Sequence, residues 1–161
     1  MELPDPPPDS DSYPLRNAAR VLLLDPLDRV LLMRYDDPPP EGRHWSTPGG
    51  GVNPGEDFPA AALRELAEET GWADITLGGL VLEQTRLLTH GSVRTRQFER
   101  LYLARTDTPG RAISGVEAMH ASDGIAAWRW WSLAELDVTG ELIYPEGIAA
   151  LIRKVLSDPP G

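Results

Sequence analysis

The sequence predicts an α/β fold, a sandwich built around a mixed sheet. Three observations carry that expectation. Runs of strand character and runs of helical character interleave along the chain. The 161 residues suffice for one domain with a real core, and the 41% hydrophobic and 25% charged fractions are those of an ordinary globular protein. No internal repeat and no second composition boundary divides the chain after its first residues.

The elements follow in order. Residues 1–14 hold five prolines and four acids and read as a disordered or loosely held arm. A single domain is expected over 15–157, with a short tail at 158–161. "NAARVLLLD" is a strand, "DPLD" a turn and "RVLLMRY" a second strand, so the two are expected to pair as a hairpin. "DDPPPEGRH" is a loop, because Pro38, Pro39 and Pro40 suit neither a ladder nor a helix interior. "WSTPGGGVNPGED" is a short extended stretch broken by glycine turns. Asp57 is an N-cap, and a helix runs from about 58 to 70 with Gly71 as its left-handed stop. "ITLGGLVLEQTRLLTH" reads as one or two strands, and "SVRTRQFERLYLART" as another with Leu101 and Leu103 on one face. "DTPGRAISGVEAMHASDG" is a long polar loop. "IAAWRWWSL" is a strand leading to a short helix, which Ser132 and Glu135 begin with a capping box. Trp128, Trp130 and Trp131 are packing residues on it. After Pro145, Ile148, Leu151, Ile152 and Val155 repeat at helical spacing.

Charge and composition narrow the functions. The net charge of −10, of which Glu2, Asp5, Asp9 and Asp11 contribute four, argues against binding a nucleic-acid duplex or an acidic membrane. It leaves room for a phosphorylated small molecule, because a bound cation reverses the local sign. Without cysteine there are no disulfides, thiolate metal sites or cysteine nucleophiles. No signal-peptide pattern and no apolar run of membrane-spanning length is present, so a cytoplasmic protein is expected. A homodimer is left open.

The chemically informative stretch is "LRELAEETGW", Leu63 to Trp72. Glu65, Glu68 and Glu69 share one helical face near the C-terminal end, where the helix dipole favours cations instead. A solvated acidic surface is the ordinary explanation of such a face. It is strained here by the position of the acids and by Arg64 being the one nearby cation of the helix. A divalent ion such as Mg²⁺, which takes oxygen ligands and bridges carboxylates to phosphates, explains the arrangement better. The preceding loop fits, since Gly49, Gly50, Gly51 and Gly55 let backbone approach a ligand closely.

Gly50, Glu56, Arg64, Glu65, Leu66, Glu68, Glu69 and Gly71 stand at the spacing G-x5-E-x7-R-E-U-x-E-E-x-G-U, where U is bulky and aliphatic. This resembles the Nudix box at eight of its nine defined positions. The departure is Trp72, bulky but not aliphatic, for which altered packing is expected. "RVLLLDPLDRVLLMRY", "WSTPGGGV" and "WRWWSLAEL" resemble the opening hairpin, the approach to the box and the late strand and helix of that family. The resemblance covers about residues 17–156. It implies a Nudix-like α/β/α sandwich with a central mixed β-sheet, and Mg²⁺-dependent hydrolysis, with Mn²⁺ as a substitute, of a diphosphate linkage in a nucleoside triphosphate or a nucleoside diphosphate joined to another group.

On that resemblance the metal ligands are Glu65, Glu68, Glu69 and the Gly50 carbonyl, and the catalytic set is Glu65, Glu68, Glu69 and Arg64. Glu56 and Arg64 are the pair that fixes the loop against the helix. Glu65 or Glu69 serves as general base, with Glu99 and Glu117 as candidates outside the box; for each of those two an ordinary surface role competes. Gly49, Gly50, Arg34 and Trp45 are the substrate-binding candidates. Tyr35, Phe98 and Tyr102 are further aromatics that could stack on a base, although such residues more often fill cores. His44, His90 and His120 show no ligand spacing and are read as loop or strand-end residues. The markers of ADP-ribose, diadenosine polyphosphate and NADH hydrolases downstream of such a box are absent, which favours nucleoside triphosphates or an unassigned substrate. The rival reading is a noncatalytic nucleotide-sensing module on the same fold.

Overall fold

In the computed structural model, which describes residues 12–160, eight strands form one curled mixed sheet with helices on both faces. In chain order the elements are β1 (Leu15–Leu24), β2 (Val30–Asp36), β3 (Arg43–Ser46), β4 (Gly49–Gly51), α1 (Phe58–Thr70), β5 (Leu77–His90), β6 (Val93–Arg105), α2 (Glu117–Asp123), β7 (Ile125–Trp131), α3 (Leu133–Val138), β8 (Ile143–Tyr144) and α4 (Ile148–Ser157). The path across the sheet is β5-β6-β1-β2-β3-β8, with β4 on β1 and β7 on β2. β1 and β6 are parallel, as are β3 and β8; the other pairs are antiparallel.

The period of β1 explains the layers. Side chains alternate across a strand. Ala19, Val21 and Leu23 pack with Ala61, Ala62 and Leu66 of α1. Leu22 and Leu24 pack with Ile148, Ile152 and Val155 of α4. One strand thus feeds two cores, and α1 and α4 lie on opposite faces.

The expected hairpin of β1 and β2 exists only at its tip. Asp25 N donates to Arg29 O at 3.0 Å, and Leu24 pairs Val30. Beyond that point the strands part, because β4 takes the edge of β1 from Ala18 to Arg20 while β2 pairs β3 and β7. The glycine-rich stretch is therefore a strand inserted where a simple hairpin would have continued. The segment read as one long polar loop contains α2, closed by Gly124 at φ 76°. The two-residue β8, parallel to β3, has no strand signal in the sequence.

The expected arm over 1–14 lies outside the described residues except for Ser12, Tyr13 and Pro14. There, Arg96 donates from its backbone N to Pro14 O at 2.8 Å and from Nε to Tyr13 O at 3.2 Å. Among the described residues no helix is long and apolar enough to cross a membrane.

Candidate functional site

The box helix forms as its sequence dictates. Asp57 Oδ1 accepts from Ala60 N at 2.8 Å, Pro59 occupies the first turn, and Gly71 ends the helix at φ 80° with its N–H on Ala67 O. Ala61, Ala62 and Leu66 turn α1 onto the sheet, and Glu69 is carried to the same buried side. Trp72, the departure from the box, is core. Its ring lies 6.3 Å from that of Trp130, nearly parallel, and the Arg111 guanidinium sits 4.5 Å from its centroid.

Close backbone approach sets the geometry beside α1. A Cβ on Gly50 would fall 2.6 Å from the Glu65 carboxylate. Gly49, at φ 153°, donates its N–H to Glu69 Oε2 at 3.2 Å. The strand β4 thus presents bare backbone to two glutamates. Arg64 ties the loop to the helix: Nε and Nη2 take both oxygens of Glu56 at 2.8 and 2.9 Å, and Nη2 also reaches Gly51 O at 2.8 Å. Its Nη1 contacts Glu65 at 3.0 Å and Glu68 at 3.4 Å.

Three carboxylates converge: Glu65, Glu69 and Asp123 each offer an oxygen, and these oxygens lie within 4.8 Å of one another. Glu69 is only 2% exposed. Burial pushes its carboxyl well above the usual range, and Glu65 beside it pushes in the same direction. Burial raises Glu65 too, against the opposing hydrogen bond from Arg64. Charged together, carboxylates so placed are costly even with the Arg64 and Gly49 contacts. Their all-oxygen donor set suits a hard divalent cation, which removes that cost.

Other candidates fall elsewhere. Glu68 is held by Arg64 outside this trio. Glu117 accepts from Gly115 N at 3.3 Å at the start of α2, and it is Asp123, six residues further on, that joins the glutamates. Glu99 is no surface residue: it is 5% exposed on β6 and takes Arg20 Nε at 3.1 Å, Arg86 Nη2 at 2.9 Å and Gln84 Nε2 at 3.1 Å, with Gln97 also bonded to it. Burial alone would raise its carboxyl, but Arg20 and Arg86 outweigh that and bring it to about 2. A group so firmly ionised is a weak proton acceptor.

Trp45 packs in the α4-side core, with its ring 5.1 Å from that of Trp131 and edge-on to it. Arg34, its partner across the ladder, pairs with Asp36 at 3.1 Å. Both occupy the sheet face opposite α1, so neither faces the carboxylates. Half-buried strands carry aromatic and long cationic side chains on either face, and the sequence does not distinguish them. Phe98 packs against Phe58, Tyr102 is core, and Tyr35 stacks on His44 at 5.4 Å.

Asp123 is the functional candidate that the sequence reading lacked. Its one local signal is the "SDG" that ends α2, a pattern common in turns. An open groove of about 670 Å³ adjoins the box loop, lined by Arg16, Asn17, Gly51, Asn53, Glu56 and Phe58 among others.

The NUDIX domain family matches residues 14–153, and the chain is a member of the Nudix family. An RNA pyrophosphohydrolase of Dinoroseobacter shibae is 46% identical over 68 residues, 42% of this chain and 41% of that protein. A putative 8-oxo-dGTP diphosphatase of Bacillus subtilis is 43% identical over 54 residues, 34% of each chain. These matches thus span well under half of the relatives' length. The crystal structure of a MutT protein from Methanosarcina mazei Go1 superposes with a TM-score of 0.68, covering 91% of this chain and 96% of that one, at 18% identity, a likeness of fold.

Proposed function

We propose that the chain is a Mg²⁺-dependent diphosphohydrolase, with Mn²⁺ as a substitute, acting on a nucleoside triphosphate or another nucleoside diphosphate derivative. The observation that carries this reading is the convergence of Glu65, Glu69 and Asp123 beside the bare backbone of Gly49 and Gly50. Those three carboxylates would hold the cation, with the Gly50 carbonyl and Glu68 as further oxygen donors at its margin. When bound, the ion supplies charge neutralisation and Lewis acidity toward the diphosphate oxygens.

The protein's own contribution is positioning. Arg64 and Glu56 hold the loop so that Gly50 and Glu65 stay in register. A water oxygen forms a bond to one phosphorus, the anhydride P–O bond breaks, and the electron pair leaves with the departing phosphate group. Glu65, more open than Glu69, accepts the water proton. The groove along β1 and the box loop gives the rest of the substrate room. The relatives named for RNA pyrophosphohydrolysis and 8-oxo-dGTP cleavage favour a triphosphate-bearing substrate.

The test is a panel of nucleoside triphosphates, 5′-triphosphorylated RNA, dinucleoside polyphosphates and ADP-ribose, with Mg²⁺ and with chelator. Turnover of at least one compound that stops on chelation supports the reading. Turnover that survives chelation overturns the metal assignment. Tight binding of a panel member without cleavage favours the noncatalytic sensor.

A further inference from the structure

Asp123 belongs to a short helix whose own side chains add little to the core. Of the seven residues of α2, six are exposed; His120 alone is half-buried. The helix contributes no buried residue to either core and lacks a side-chain N-cap. Positive-φ glycines flank it, Gly115 at 78° and Gly124 at 76°. Apolar anchors lie outside it, at Ile113 and Val116 before and Ile125 after. Such a short, exposed turn has low local stability unless something ties it down.

The tie is His120. Its Nε2 lies 2.6 Å from the backbone oxygen of Glu69. A carbonyl oxygen only accepts, so Nε2 carries the hydrogen and donates. Glu69 O is one of the last carbonyls of α1. The chain leaves the helix at Gly71, so this oxygen has no partner one turn further on. The histidine therefore caps the box helix at the residue whose side chain enters the carboxylate trio. His120 and Asp123 are three apart and share a face of α2, so the contact that docks the ring also delivers the Asp123 carboxylate.

We propose that His120 is a positioning residue: by its hydrogen bond to Glu69 O it docks α2 on α1 and holds Asp123 against Glu65 and Glu69, setting the affinity for the divalent cation. This rests on the metal reading above. Outer-shell partners of ligating side chains typically contribute about 10–100-fold to metal affinity, and a docking contact one step further out sets the low end of that range.

The test is Mn²⁺ affinity of the full chain, from the electron paramagnetic resonance signal of free Mn²⁺, with thermal melting run alongside. His120→Ala is expected to weaken binding roughly tenfold. His120→Gln, whose amide keeps a donor at similar reach, restores most of it. In an Asp123→Asn background, His120→Ala adds no further loss, because the two act through one contact. If His120→Ala does not fold, His120→Phe keeps the ring volume without the donor and gives the same loss. Unchanged affinity in a folded variant lacking the donor overturns the inference, as does full additivity with Asp123→Asn. Absence of Mn²⁺ binding by the unaltered chain overturns the metal reading itself, and this inference with it.

Discussion

Glu56 and Arg64 meet at two points, Nε on Oε2 at 2.8 Å and Nη2 on Oε1 at 2.9 Å, across the turn that leads into α1. The Arg64 hydrogen bonds, helped by the Asn53 N–H, hold the Glu56 carboxyl down at about 2, against an ordinary value of 4.5. A carboxyl lowered by folding stabilises the protein above its unfolded value, and that stability fades as pH falls through the folded one. Glu56→Gln should therefore melt below the unaltered chain at neutral pH. The gap should narrow as pH drops from 4.5 toward 2, as thermal melts across that range would show.

Glu69 gives the opposite sign. Its carboxyl is pushed up by burial and then by Glu65, so the unfolded chain ionises first as pH rises. In the metal-free protein this costs stability from about the ordinary carboxylate value upward. With chelator at neutral pH, Glu69→Gln should melt at or above the unaltered chain. With Mg²⁺, the unaltered chain should gain more than the variant, because ligand bound only to the folded state stabilises it. Melts in chelator and in Mg²⁺ check both halves.

Glu99 sits among Arg20, Arg86, Gln84 and Gln97 in the sheet interior. Removing one member of a buried pair leaves the other uncompensated. Glu99→Ala should destabilise by about 3 kcal/mol, measured by denaturant unfolding.

Trp72 fills a slot between Trp130 and Arg111. Trp72→Leu, which restores the family's aliphatic position, should cost roughly 2 kcal/mol by leaving a void. Mg²⁺-dependent turnover, measured below the melting transition, should change little, because this ring packs in the core and the carboxylates lie on α1 and α2.

What could be read in the sequence was local. The Asp57 cap, the Gly71 stop and the Ser132–Glu135 box each depend on residues a turn or less apart, and the structure has all three. The convergence of Glu65 and Glu69 follows from helix period. Asp123 lies 54 residues after Glu69, and nothing in its neighbourhood encodes that contact; only the return of the chain through α2 to β7 creates it. The β1–β2 hairpin stops at its tip for a related reason. Two adjacent apolar strands look like a hairpin, but Gly49–Gly51 compete for the same edge of β1, and side-chain pattern does not reveal which strand wins. The placement of Trp45 and Arg34 away from α1 has no signal in the sequence: a strand shows which residues alternate, not which face meets α1.

In the proposed reaction, diphosphate cleavage depends on the carboxylate trio of Glu65, Glu69 and Asp123. The most direct measurement is Mg²⁺-dependent phosphate or nucleotide release, from the best substrate of the panel, by the unaltered chain and by Glu69→Gln and Asp123→Asn. If the trio drives cleavage, Glu69→Gln loses roughly a hundredfold or more of the rate, Asp123→Asn loses a substantial part of it, and both variants remain folded. Wild-type rates in both variants would contradict it.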